Sequence, residues 1–252
     1  RSRMQAGIQQ DSYSEYPVKV QVVKKTLPRD TLFVYGETEA FREITVLAET
    51  GGRIVKMHAQ EGQFLSAGRP IATIDDEVYQ ASFALAELKY EKAKKDFKRF
   101  ENLYRANNIS ESDIEEQQLA LISAEAEFII ARRNLKNATI RAPFAGVIHK
   151  KYIDSGSILV AGSPVAELVD FSELKIKLFV AEHTLNRYFN GQAVFLFSDL
   201  YPDHIFQGRI DHIGIRGNDA HRFPLEIHVK NNPDYPLKAG LFMSAEFRTV
   251  EA

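Results

Sequence analysis

The sequence predicts an elongated α+β chain of several small domains in line: a split β-sandwich interrupted by an antiparallel helical hairpin, then a small antiparallel β-barrel. Three observations predict it. A glycine-marked segment occurs twice at a constant offset of 94 residues, from Gly52 to Gly146 and from Pro70 to Pro164. Between the copies lie two stretches with apolar residues at steps of three and four. After the second copy come short runs that alternate apolar and polar residues.

The repeat sets the organisation. Gly52-Arg53-Ile54-Val55-Lys56 runs on through Gly62 and Gly68-Arg69-Pro70 to Asp76; Gly146-Val147-Ile148-His149-Lys150 runs on through Gly156 and Gly162-Ser163-Pro164 to Asp170. Gly62 and Gly156 suit tight turns that need positive φ. Pro70 and Pro164 start strands, where a missing N–H does least harm. One copy is too small to bury its apolar face alone. The two copies are therefore expected to close on each other as one pseudo-symmetric sandwich.

Polar residues fill 1–16, which predicts poor order there. Val18, Val20 and Val22 alternate with polar neighbours before a Pro28-Arg29-Asp30 turn, and a second strand follows through Leu32, Val34 and Gly36.

Asp75-Asp76 stand at the start of the inserted segment and are expected to cap its first helix. Tyr79, Phe83, Ala86, Tyr90, Ala93, Phe97, Phe100 and Tyr104 form one seam. Asn107-Asn108 interrupts it, and Ser110 with Asp113 forms a capping pair for the next helix. There Ile114, Gln117, Leu121, Ala124, Phe128, Ala131, Leu135 and Ala138 form the second seam. A short connection between two such helices demands an antiparallel hairpin. About thirty residues per helix rise roughly 45 Å at 1.5 Å per residue.

Beyond Asp170, alternation recurs at Leu174–Val180, Val194–Phe197, Phe206–Ile210, Leu225–Val229 and Phe242–Phe247, with one or two helical turns expected over Glu182–Phe189. Short strands at this spacing suggest a barrel. The expected domains are 1–16 as a terminal segment, 17–43 as N-terminal strands, 44–76 with 139–170 as the split sandwich, 77–138 as the hairpin and 171–252 as the barrel.

Two such half-modules split by a helical hairpin resemble the split lipoyl-like domain of the periplasmic adaptor (membrane fusion) protein family, HlyD/AcrA-like and of the resistance-nodulation-division (RND) type. The resemblance spans roughly residues 37 to 248. At the hairpin tip, Arg99, Leu103 and Ser110 match Arg-x3-Leu-x6-Ser, a pattern similar to the signature by which such adaptors meet a TolC-like outer-membrane channel. Near the C-terminus, Asn232-Pro233-Asp234 through Leu237-Lys238-Ala239-Gly240-Leu241 resembles the family's Asn-Pro-(Asp/Asn)-x-x-Leu-(Lys/Arg)-Pro-Gly-Met, with Ala239 and Leu241 replacing Pro and Met.

The resemblance implies a periplasmic subunit associated with the inner membrane of a Gram-negative bacterium. It would bridge an inner-membrane pump, of the RND type first, and an outer-membrane channel. It also implies self-association into a ring or tube, as a hexamer or a trimer of dimers. Membrane attachment is expected through an N-terminal segment missing from the displayed chain, and a membrane-proximal domain is expected to be absent, truncated or reduced to residues 17–36. An adaptor of an ABC-type or type I secretion system is the alternative within this architecture.

Other chemistries find little support. A net charge of −2 gives no bulk electrostatic reason to expect nucleic acid. Cysteine is absent, which removes thiol nucleophiles, disulfides and Cys-ligated metals. No Gly-x-Ser-x-Gly elbow or phosphate loop occurs, so the chain reads as no enzyme. A lipoate or biotin carrier needs a lysine on the turn between the halves. The hairpin replaces that turn, so no cofactor is expected. His204, His212, His221, His228 and Glu226 lack tight ligand spacing, and Met4, Met57 and Met243 are scattered. No metal site is assigned, and a metal-binding protein serving a metal-efflux pump stays as the reading from another class.

Overall fold

A computed structural model describes residues 32–247. The segment 1–16, the run Val18–Val22 and the turn at Pro28 lie outside the described residues.

The repeat folds as two interlocked halves. In the first copy, β2 (Gly52–Met57), β3 (Phe64–Leu65) and β4 (Pro70–Ile74) match, at the same offset of 94, β6 (Gly146–Lys151), β7 (Ile158–Leu159) and the start of β8 (Pro164–Ala181) in the second. Pairing is crosswise. β2 pairs β7 through Gly52↔Leu159, and β3 pairs β6 through Leu65↔Gly146. The turns repeat the exchange: Gly62 N–H donates to Ile148 C=O and Gly156 N–H to Ile54 C=O, each at 2.8 Å. Gly62 and Gly156 have φ of 78° and 92°, the left-handed backbone each tight turn requires. The two short copies thus complete each other.

Ile54, Ile71, Ile74, Ile148 and Leu168 are fully buried between the two sheets. Each such side chain stabilises by about 2 kcal/mol. One sheet is β5 (Thr139–Arg141)-β4-β2-β7; the other holds β3, β6, β8 and β1 (Leu32–Leu47).

β1 and β8 serve two domains. Their lower halves pair in the sandwich, Arg42↔Asp170 through Leu47↔Pro164, and their upper halves pair from Gly36↔Leu178 to Ala40↔Leu174. Between them the register shifts: Phe41 alone on β1 stands opposite Phe171, Ser172 and Glu173, so the bulge lies on β8. The upper halves close a six-stranded barrel in the order β1-β12-β9-β10-β11-β8, formed with β9 (Ala193–Ser198), β10 (Phe206–Ile213), β11 (Arg222–Lys230) and β12 (Phe242–Phe247). Leu174, Ile176, Leu196, Leu225 and Ile227 fill it. Both strands run without interruption across positions 43/44 and 170/171, because one ribbon lines both cores. A 3-10 turn at Glu182–Arg187 occupies the stretch expected to be helical.

The hairpin consists of α1 (Glu77–Arg105) and α2 (Glu111–Asn137). They leave from β4 and return to β5, hydrogen-bonded neighbours in the sandwich. The expected seam residues from Tyr79 to Phe100 and from Ile114 to Leu135 are shielded positions; Tyr104, also expected on the seam, is exposed, because it lies in the last turn of α1 where α2 only begins. Phe128 stacks on Tyr90 at 5.3 Å and lies 5.6 Å from Phe83. The start of α1 departs from expectation in one respect. Asp76 occupies the N-cap position, yet its carboxylate accepts from Gln80 Nε2 instead of capping; Asp75 takes the Glu77 N–H. Both acids still face the positive end of the helix.

Candidate functional site

The hairpin tip is built from two helix ends with different stop and start signals. α1 ends in Asn107 at φ 57°, a left-handed residue after the last turn. Its N–H donates to Tyr104 C=O, and Asn108 N–H donates to Leu103 C=O at 3.0 Å. These two bonds are the Schellman arrangement, with asparagine in the place glycine most often takes. Ser110 then starts α2. Its hydroxyl accepts from Asp113 N–H and donates to the Asp113 carboxylate at 2.7 Å, while Ser110 N–H donates to the same carboxylate at 2.9 Å. This reciprocal capping box is the one the sequence predicts. The Ser110 bonds hold the Asp113 carboxyl below its ordinary range.

Arg99 and Leu103 share a face of the last two turns of α1. The Arg99 guanidinium is exposed and pairs with Asp96 at 2.9 Å, lying 5.9 Å from the Phe100 ring. Leu103 and Tyr104 are exposed beyond the end of the seam. Arg99, Leu103 and Ser110 therefore lie in one terminal region. The polar contacts of Arg99 and Ser110 go to their own helices, which leaves the face open for a partner. The arrangement can grip another surface, with the Ser110 hydroxyl and the Asp113 carboxylate engaged in the cap.

At the opposite end the rod is fixed to the sandwich. Glu49 accepts from Asn137 Nδ2 at 2.8 Å and from Arg133 Nη2 at 3.4 Å, and the Tyr79 hydroxyl donates to Gly51 C=O at 2.7 Å. Tyr79 was expected only as a seam residue, and Glu49, Arg133 and Asn137 were not singled out in the sequence. The only signal for them was their nearness to a repeat boundary.

The C-terminal motif has a structural task. Thr38, buried on β1, donates its hydroxyl to Lys238 C=O and accepts from Leu241 N–H; Gly240 N–H donates to Thr38 C=O. Asn231 ties the same loop by accepting from Leu237 N–H at 2.8 Å and donating to Leu237 C=O and Phe171 C=O. The loop is thereby sealed to the first barrel strand. An inward threonine on β1 was the one clue to this.

The histidines stand apart. His228 approaches Asp211 at 3.6 Å, His221 approaches Glu182 at 3.6 Å, and His204 stacks on Tyr235 at 4.0 Å. His212 lies opposite Glu226 on the neighbouring strand. Among the described residues no group of three or more His, Cys, Asp or Glu could hold a metal ion, and no helix is long and apolar enough to cross a membrane.

Residues 42–171 match the family model described as "RND MFP, barrel-sandwich hybrid domain". The multidrug resistance protein MdtA of Xenorhabdus bovienii is 26% identical over 192 residues, covering 70% of this chain and 46% of that protein. The toluene efflux pump periplasmic linker protein TtgD of Pseudomonas putida is 29% identical over 159 residues, covering 63% of this chain and 40% of that protein. The chain thus spans less than half the length of the curated relatives it matches. A MacA–MexA chimera containing the Pseudomonas aeruginosa MexA α-hairpin domain shares the fold at a TM-score of 0.73 and 20% identity, over 89% of this chain and 82% of that one. With its interlocked halves, inserted hairpin and adjoining barrel, the chain belongs to the RND membrane fusion protein family, a family of non-enzymatic adaptors, and carries its barrel-sandwich hybrid domain.

Proposed function

We propose that this chain is a periplasmic adaptor of a tripartite efflux pump, joining an inner-membrane transporter of the RND type to a TolC-like outer-membrane channel. The observation that carries the reading is Leu103, an apolar side chain exposed at the end of a rod whose base is fixed in the sandwich. An apolar group so far from its own core is best explained by a partner's groove. The names of relatives such as the toluene efflux linker support the same direction.

The mechanism is steric and mechanical. Arg99 offers charge-assisted hydrogen bonds to carbonyls or carboxylates of the channel. Leu103 fills an apolar groove. Ser110, compact and already satisfied as a cap, lets the partner approach closely. Copies stand side by side through their sandwich and barrel units and enclose a conduit.

Leu103→Asp tests the tip. It is expected to abolish cross-linking to the channel and to raise drug accumulation in cells, with the purified protein as stable as before. Unchanged efflux together with unchanged cross-linking sinks the assignment.

A further inference from the structure

The repeat reaches further back than its glycines. Ile44-Thr45-Val46-Leu47-Ala48-Glu49 matches Ala138-Thr139-Ile140-Arg141-Ala142-Pro143 at the same offset of 94, with threonine and alanine retained. The two stretches also bond alike. Ala48 N–H donates to Ser163 C=O and Ala142 N–H to Arg69 C=O, each at 2.9 Å. Gly162 and Gly68 return N–H bonds to Ala48 C=O and Ala142 C=O. These are the opening strands of the two halves.

Both are strand edges. Over Arg42–Leu47, β1 pairs with β8 alone, and β5 pairs with β4 alone; no other described strand meets either. Between them runs a groove of about 530 Å³. Val46, Ile140 and Ala142 are buried in its lining, while Ile44 and Leu47 line it at 43% and 50% exposure. Apolar side chains beside unpaired backbone groups are a template for a further strand.

The walls differ where the repeat differs. Leu47 on β1 is matched by Arg141 on β5, and Glu49 by Pro143. The groove continues along α2 in a hollow that adds Ile129, Arg132 and Arg133. Across both, four cations (Arg132, Arg133, Lys136 and Arg141) accompany one carboxylate, Glu49, which Arg133 and Asn137 already engage. Arg132, Lys136 and Arg141 form no ion pair among the described residues, and Arg141 donates to Gly68 C=O at 3.1 Å. Such charges turn away a basic strand and admit an acidic one.

We propose that this groove takes an extended acidic segment of a partner protein. The segment pairs with the β1 edge, sets alternate apolar side chains against Ile44 and Leu47, and brings acidic ones to Lys136 and Arg141. Main-chain bonds supply the attachment, and the cations select the sign of charge. At about 3.3 Å per residue, the stretch from Ile44 to Glu49 spans about 20 Å, which fits a segment of about six residues. The site lies at the root of the hairpin and does not rest on the channel contact at its tip.

Labelled peptides test it against the purified protein by fluorescence polarisation. The probes are Glu-Val-Glu-Val-Glu-Val, Lys-Val-Lys-Val-Lys-Val, and two forms of the acidic peptide, N-methylated at every valine or at every glutamate. The acidic peptide should bind about tenfold more tightly than the basic one. Alternate amides of a strand serve one edge, so one N-methylated form should lose binding and the other keep it. Lys136→Glu combined with Arg141→Glu should reverse the preference between acidic and basic peptides. Leu47→Asp, which leaves β5 untouched, should weaken the acidic peptide about tenfold. Equal binding of acidic and basic peptides overturns the proposal, and so does retention of binding by both N-methylated forms. No binding of the acidic peptide at about 1 mM overturns it as well.

Discussion

Arg42 and Asp170 face each other across the β1–β8 ribbon at the point where it passes from sandwich to barrel. Arg42 Nη2 and Nε donate to Asp170 Oδ2 at 2.7 and 3.2 Å, and the guanidinium lies 4.6 Å from the Phe144 ring. Asp170 is buried, and its other oxygen accepts from the Ser172 N–H and hydroxyl. The pair sits directly beside the β8 bulge at residues 171–173 and locks the ribbon where its pairing slips.

Removing the cation should therefore cost more than an ordinary surface pair. Arg42→Ala leaves a buried carboxylate with half its partners and is expected to destabilise by about 2 kcal/mol. Arg42→Lys should recover only part of this, since lysine cannot reproduce the forked donation. Urea unfolding at neutral pH measures both.

Acid should act on the same residue. Burial would raise the Asp170 carboxyl, but hydrogen bonds from Ser172 and Arg42 outweigh it and hold the group below its usual range. A depressed folded pKa contributes stability that is present above the unfolded value of about 3.9 and lost as pH falls through the folded value. Asp170→Asn should be less stable than the parent at pH 7 and lose less on acidification. Parallel denaturant curves at pH 7 and pH 3 decide it; equal slopes against pH would remove Asp170 as a contributor.

At the tip, the capping bonds and the proposed channel contact can be tested separately. Ser110→Ala removes the cap and should destabilise the end of α2 by about 1 kcal/mol, read as faster amide exchange over residues 111–114. Leu103→Asp should leave that exchange unchanged. Asn107→Gly should slow amide exchange at position 107 and at Asn108, because glycine takes the left-handed position with less strain.

The two turns should behave as twins. A Cβ at Gly62 or Gly156 meets no atom within 4 Å, so only the positive φ opposes it. Gly62→Ala and Gly156→Ala should each cost about 1 kcal/mol. A large inequality in thermal unfolding would show that the halves are not equivalent.

Periodicity revealed the elements that depend on it. The seam from Tyr79 to Phe100 and from Ile114 to Leu135 was legible because steps of three and four give one face of a helix. The repeat was legible from matched glycines and prolines. Crosswise pairing of β2 with β7 was not, since strand partners far apart in sequence leave no local mark. The passage of β1 and β8 through two cores escaped for a related reason: alternation reports that a strand has an inner face, not which core it meets. At the tip, Arg99, Leu103 and Ser110 stood out by their resemblance to the family's tip pattern, and Ser110 also by its capping chemistry. Thr38 and Glu49 did not, because their partners lie in distant segments.

The anchoring of α1 and α2 on adjacent strands makes the hairpin a lever. With an arm of about 40 Å, a tilt of one degree at the root displaces the far end by about 0.7 Å. Aim is therefore set not at the tip but at Glu49, Asn137 and Tyr79, where slack of a few tenths of an ångström is magnified severalfold at the far end.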